Sequence, residues 1–251
     1  MLKLIKANES DLTLLRFIAK NQMASKSDIN RDIWKDSLPR NNWRRLRRLL
    51  KNRWIKPVEG DCGRTLGYTI TRKGLNALNH NSKTQYEICT PKRKYRTSFE
   101  HDQELRVVRK EIERCKSVVS FRPEHELKQD QKKRSDKVPD AIFALQTHSG
   151  LIQVALELEL TQKSSSRYIE KYRFFALHEG IQLVLYIVGK ETLINSISKS
   201  FQEAFDSTPM IRRAPKINGF YFCTLENLKK NGLDAVFCNK NRSFSLHDIA
   251  A

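Results

Sequence analysis

The sequence predicts a mixed α/β (α+β) chain: a small helix-rich unit carrying one two-stranded ribbon, then a larger α/β core. Three observations carry this reading. Apolar residues recur at helical spacing between residues 8 and 53. Two apolar runs flank a Gly-containing turn between Pro139 and Leu160, as a β-hairpin requires. Ile181–Val188 is an unbroken apolar run of strand length, the signature of a buried central strand.

The hairpin is the element around which the rest is organised. With Ser149-Gly150 as a two-residue turn, His148 pairs with Leu151, Ile142 with Glu157 and Asp140 with Glu159. Directly opposed residues share a face, and successive residues alternate faces. One face then holds Ala141, Phe143, Leu145, Ile152, Val154, Leu156, Leu158 and Leu160, and is core. The other holds Asp140, Ile142, Ala144, Gln146, Gln153, Ala155, Glu157 and Glu159. A one-residue slip would mix the faces. Three carboxylates thus gather at one end of the hairpin, where their repulsion calls for a divalent cation, a lysine or open water. Mg²⁺ or Mn²⁺ held there could activate water and stabilise charge on a phosphodiester. The plainer alternative is that Glu157-x-Glu159 is the wet face of an edge strand. Pro139-Asp140 across the hairpin favours a site.

Composition narrows the partner. Lys and Arg number 47 against 28 Asp and Glu, a net charge of +19, so polyanions should bind by counterion release. No apolar run is long enough to span a membrane, no basic amphipathic anchor or lipidation motif appears, and the N-terminal apolar run is too short for a signal peptide. No membrane insertion is expected. The five cysteines are scattered without C-x-x-C spacing, so they read as reduced thiols of a cytoplasmic protein rather than a zinc site or disulfide framework.

Taken in order, residues 1–80 form the first domain. Asn8, Ser10 and Asp11 can cap a helix through Ile18, and Ser25–Asp28 starts a second. After Leu38-Pro39, a third helix runs from Arg40 to Arg53, with Trp43, Leu46, Leu49 and Leu50 as its apolar stripe. Trp54–Val58 and Leu66–Ile70 make the ribbon, and Thr71–Leu78 closes with a helix. Residues 81–97 are a polar, basic linker. The second domain, 98–251, opens with a helix from Ser98 to Glu113 and a strand at Ser117–Phe121. A polar run, Lys128–Lys137, precedes Asp140 and is either a basic clamp or a solvated loop. After the hairpin come a helix at Arg167–His178, the Ile181–Val188 strand, a helix at Thr192–Phe205 and a strand at Gly219–Thr224.

Helix, helix, helix, ribbon, helix, closing on Tyr68-Thr-Ile-Thr-x-Lys-Gly, resembles a winged helix-turn-helix. In such a domain the third helix enters the major groove by its N-terminal half. Asn41, Asn42, Arg44 and Arg45 would then reach base edges, since Asn suits adenine and Arg guanine. Arg40, Arg47, Arg48 and Lys51 would meet DNA too, the last three through phosphates, and Arg64 would enter a minor groove from the wing tip. A solvated basic helix is the bland reading of the same residues.

Pro139-Asp140 followed by Glu157-Leu158-Glu159 resembles the PD-(D/E)xK nuclease superfamily, whose core is restriction-endonuclease-like. Glu159 stands where that motif usually has lysine. The resemblance implies Asp140, Glu157 and Glu159 as metal ligands. It implies a lysine from elsewhere, Lys171 on the following helix or the nearer Lys163. It also implies an accessory acid from the first helix, for which Glu104 is the candidate. Tyr168 and Tyr172 read as packing residues, or as a nucleophile or hydrogen-bond donor. The winged helix, His101-Asp102, Glu124-x-Glu126-Leu127, Pro139-Asp140-Ala141, Glu157-x-Glu159 and Lys171-Tyr172 together are similar to the replication-relaxation group, which includes MobC-type plasmid relaxases. Like that group, the sequence lacks a His-x-His cluster, its six histidines being dispersed.

The resemblance implies a metal-dependent, site-specific DNA nickase (a relaxase-type endonuclease) acting at a plasmid origin of transfer during conjugative mobilisation. The competing expectation is a non-catalytic DNA-binding regulator or mobilisation accessory protein. Duplex DNA is the expected partner, with other mobilisation proteins and a second copy of the chain as further candidates.

Overall fold

The structure, a computed structural model, describes residues 7–35, 39–59, 65–81, 95–129, 138–178, 180–208 and 219–249, with the side chains of 39, 40, 95–99 and 249 excepted. The chain divides into two units, Met1–Phe99 and Glu100–Ala251. Among the described residues no helix is long and apolar enough to cross a membrane.

Reciprocal caps begin the first unit. Helix α1 (Glu9–Lys20) starts at Asn8, whose side chain accepts the Asp11 N–H at 2.9 Å while Asp11 accepts the Asn8 N–H at 3.3 Å. Helix α2 (Lys26–Asp32) repeats the device with Ser25 and Asp28. Helix α3 is Pro39–Lys51. Strands β1 (Ile55–Glu59) and β2 (Thr65–Ile70) pair antiparallel, and Ala24 adds a bridge to Tyr68 through bonds of 3.0 and 2.8 Å. Helix α4 (Arg72–His80) is capped by Thr71, which accepts the Gly74 N–H at 3.1 Å and donates to the Arg53 carbonyl at 2.6 Å. Gly74 is required there: a Cβ would lie 2.0 Å from the Trp54 carbonyl oxygen. Leu14, Leu15, Ile18, Ile29, Leu46, Leu49 and Leu78 form the core.

The stripe of α3 is rotated from its expected position. Leu46 and Leu49 are buried, but Asn42 joins them at 4% exposed, whereas Trp43 is 37% exposed. Asn42 lies four residues before Leu46, on the same face, so the helical period turns it inward and Trp43 outward.

The second unit is a mixed α/β structure around one seven-stranded sheet in the order β3-β4-β5-β6-β7-β8-β9. Helix α5 (Tyr95–Glu113) leads to β3 (Val118–Pro123), helix α6 (Glu124–Gln129), β4 (Ala141–Thr147) and β5 (Gly150–Glu159). Strands β3, β4 and β5 form an antiparallel meander. Helix α7 (Ser165–Leu177) then crosses to β6 (Leu183–Val188), and helix α8 (Thr192–Ser207) to β7 (Phe220–Thr224), both strands parallel to β5. Helix α9 (Leu225–Asn231), β8 (Val236–Cys238), β9 (Ser243–Ser245) and the short α10 (Leu246–Ile249) complete it.

Both faces of the sheet are covered. Val108 and Ile112 of α5 and Leu228 of α9 pack on Phe143, Leu156 and Leu185. Tyr168 and Phe175 of α7 and Ile197 and Phe201 of α8 pack on Ala155, Val184, Tyr186 and Phe222. The expected core face is therefore core, but the opposite face is not wet, and β5 is an interior strand rather than an edge.

The hairpin register also differs from expectation. The turn is His148-Ser149, with Gly150 at φ +119° opening β5 and pairing with Thr147. Ala141 pairs with Leu156, so Asp140, one step beyond, comes level with Glu157 and not with Glu159. A shift of two residues preserves which side chains share a face.

Candidate active site

The site forms where β4 begins two residues too late to cover Leu158 of β5. The backbone N–H and C=O of Leu158 point towards β4, yet β4 starts at Ala141, opposite Leu156. Side chains complete the ladder. Asp140 accepts the Leu158 N–H at 2.8 Å, and His101 of α5 donates from Nε2 to the Leu158 carbonyl at 3.0 Å. His101 Nε2 also stands 3.3 Å from Asp140 Oδ2, and its Nδ1 3.6 Å from Asp102.

Behind Asp140, Glu157 and Glu159 project under α7 at 2% and 3% exposed. Each meets its own cation. Lys171 of α7 hydrogen-bonds Glu157 through Nζ, and Lys163 lies 2.9 Å from Glu159. The array is thus Asp140 with His101, Glu157 with Lys171 and Glu159 with Lys163.

The protonation of these groups follows from burial and neighbours. Burial pushes the Glu157 carboxyl up to about 8, against the pull of Lys171 and with the repulsion of Asp140 and Glu159. Burial would raise Asp140 too, but the hydrogen bond and charge of His101, the Lys171 charge and the Leu158 N–H hold it below the usual carboxylate value. Burial disfavours the His101 imidazolium, yet its bonds to Asp102 and Asp140 lift it to about 10. Burial likewise works against the Lys171 cation, and the charges of Glu157 and Asp140 outweigh it. Of the neighbours Asp140 and Glu157, then, Asp140 keeps the charge and Glu157 gives way.

Two residues of the site were not assigned to it from the sequence, although His101 belongs to one of the motifs quoted there. His101 takes the place expected of Glu104, which instead pairs with Lys229 of α9 at 2.6 Å. Tyr186 sits across the parallel pair from Glu157, and its buried hydroxyl has no hydrogen-bond partner among the described residues. Burial, then the charges of Glu157, Glu159 and Asp140, keep that phenol protonated. Of the two tyrosines on α7, Tyr168 is buried with its hydroxyl accepting the Lys163 N–H at 2.9 Å. Tyr172 packs between Phe201 and Phe220. Both serve packing.

The donor chemistry suits a hard divalent ion. Asp140 Oδ2 and the Leu158 carbonyl converge on one point, held here by the His101 N–H, and Glu157 is level with Asp140 across the hairpin. Among the described residues, no three acidic, His or Cys side chains stand as a ready metal-binding group. Each of the three carboxylates has a cationic side chain as its partner instead.

On α3, Asn41, Arg44, Arg47 and Lys51 are exposed and Arg45 is half-buried. Arg48 reaches down to the buried Asp11, so its guanidinium is partly committed to the fold. Asn42 faces the core and cannot read a base from there. The Arg40 side chain, Arg64 and the basic run 130–137 lie outside the described residues.

No protein-family model matches the chain, and no curated protein and no solved structure is significantly similar to it.

Proposed function

We propose that the chain is a metal-dependent DNA endonuclease of the PD-(D/E)xK type, with a winged helix-turn-helix that selects the duplex. We propose further that it acts as a relaxase-like nickase at a plasmid origin of transfer. The observation that carries the nuclease reading is the meeting of Asp140, Glu157 and Lys171 at the end of one hairpin. An acid before one strand, an acid on the next and a lysine from the following helix are the parts that such chemistry needs. The order α5, β3, β4, β5, α7, β6, with an antiparallel meander followed by a parallel strand, agrees with a restriction-endonuclease-like core. In the first unit, the Ala24–Tyr68 bridge and the β1–β2 ribbon agree with a winged helix.

Asp140, Glu157 and the Leu158 carbonyl would hold Mg²⁺ or Mn²⁺. Such an ion supplies Lewis-acid stabilisation of the phosphodiester and an activated water. Lys171 supplies a fixed positive charge beside Glu157 for the developing negative charge on phosphate. Glu159 and Lys163 buttress the end of β5 from within.

One observation favours a second reading, a DNA-binding regulator: each carboxylate already has an internal cation and needs no metal. A single assay separates the two. Supercoiled plasmids bearing or lacking the candidate origin are incubated with protein and Mg²⁺, Mn²⁺ or EDTA. Open-circle product that requires both metal and origin, and disappears in Asp140→Ala while duplex binding persists, supports the nickase. A footprint without a cut under every condition overturns it in favour of the regulator. Double-strand breaks at many sites would indicate a restriction-type enzyme instead.

A further inference from the structure

The exposed indole of Trp43 is unexplained by the core of the first unit. Its neighbours Asn42, Leu46 and Leu49 fill the inner face of α3, and Trp43 points away from them at 37% exposed. Two cations attend it: Lys26 Nζ of α2 lies 4.9 Å from the ring centroid and the Arg47 guanidinium 5.0 Å. Cation–π attraction draws each charge to the ring, but it also draws two like charges to one side chain. That concentration of charge is relieved by an anion. Helix α3 contains no acidic residue to supply one, and Arg44, Arg47 and Lys51 are exposed along it.

We infer that Lys26, Trp43 and Arg47 form a contact patch for duplex DNA, in which the two cations meet backbone phosphates and the free edge of the indole packs on deoxyribose or a thymine methyl. The patch extends the DNA surface beyond α3 to α2, and it rests on the proposed DNA-binding role of this unit. Charge complementarity selects the partner: two cations beside one apolar ring match the alternation of phosphate and sugar along a strand. A protein partner of ordinary composition offers no such repeat.

Tryptophan fluorescence tests this directly in the full chain. The other two tryptophans, Trp34 and Trp54, are 6% and 3% exposed, so quenching by neutral acrylamide reports Trp43. Adding a short mixed-sequence duplex should reduce quenching to the level of a Trp43→Phe variant, while the anisotropy of the labelled duplex records binding. Trp43→Ala should weaken duplex binding about tenfold, and Lys26→Ala should lower the slope of log affinity against log salt by about one. Duplex binding with acrylamide quenching unchanged overturns the patch and leaves the DNA-binding role standing. Protection by single-stranded DNA or heparin but not by duplex overturns the duplex as its partner. Absence of any duplex binding overturns the patch together with the DNA-binding role.

Discussion

The carboxylate of Asp140 accepts the backbone N–H of Leu158 at 2.8 Å, so a side chain finishes a hydrogen-bond ladder that the backbone of β4 leaves incomplete. The acid nearest the proposed chemistry is thereby tied to an interior strand of the sheet. Leu158 lies between Glu157 and Glu159, so one hydrogen bond sets the position of Asp140 against both glutamates. Asp140→Asn can still accept that bond but loses the charge that faces His101, whereas Asp140→Ala loses both. The alanine variant should therefore be less stable than the asparagine variant by about 1 kcal/mol in urea unfolding. Both should abolish nicking. Equal stabilities would show that the Leu158 bond contributes nothing.

Lys171 and Glu157 form a pair whose worth depends on pH. Glu157 is 2% exposed on its side chain and Lys171 27%. Lys171 pulls the Glu157 carboxyl down, so removing it raises that carboxyl further and leaves it protonated at neutral pH, which limits the damage. Above about pH 8 the wild-type pair is charged, and Lys171→Met, which makes the buried carboxylate take up a proton or stand unpaired, should cost up to about 3 kcal/mol. The double variant Lys171→Met/Glu157→Gln should recover most of that loss. Failure of the second substitution to rescue would mean that Lys171 acts through packing alone.

His101 makes metal-free stability fall with rising pH. Its folded value is raised from 6.5 to about 10, so its contribution is complete below 6.5 and lost as pH climbs through 10. Glu157, raised from 4.5 to about 8, acts in the same sense: its contribution is complete below 4.5 and lost as pH rises through 8. Urea midpoints measured in EDTA across this range should decline for the wild type and decline less steeply above pH 6.5 for His101→Gln. Parallel curves would remove His101 from the account.

Neighbouring residues on α3 should separate into fold and recognition. Asn42→Ala should lower the melting temperature, because a buried amide and its partners are disturbed at a cost of about 1–3 kcal/mol. Arg44→Ala should leave melting unchanged and weaken binding to a specific duplex by about 1–3 kcal/mol, with preference relaxed at one base position. The reverse assignment in paired melting and binding measurements would mean that α3 is rotated from the orientation described.

Gly74→Ala should destabilise the first unit by about 3 kcal/mol, since the added methyl meets the Trp54 carbonyl and the chain must shift to admit it. Thermal unfolding followed by circular dichroism would record the loss, and an unchanged midpoint would show that α4 moves freely.

Much of the fold could be read from short-range pattern. The caps at Asn8 and Ser25 start α1 and α2 because a side chain three residues away can satisfy a free N–H, and both partners are visible in the sequence. Alternation along β4 and β5 correctly assigned Phe143, Val154, Leu156 and Leu158 to one face. The turn was off by one residue and the pairing register therefore by two, because alternation distinguishes odd register shifts from even ones and His148-Ser149 turns as readily as Ser149-Gly150. The stripe of α3 was misread because Trp43 is apolar by type, although an indole with cations beside it tolerates water.

By itself, the sequence determined the periodicities, the caps, the positive charge of α3 and the carboxylates that share a strand face. These depend on residues a few positions apart. Tertiary structure alone decided that His101, separated from Leu158 by 57 positions, meets the acids where Glu104 was expected. It also decided that both faces of the sheet are buried and that each carboxylate has a particular cation. The physical reason is that a side chain's partner across distant segments is chosen by how helices pack on the sheet, and local spacing does not carry that choice.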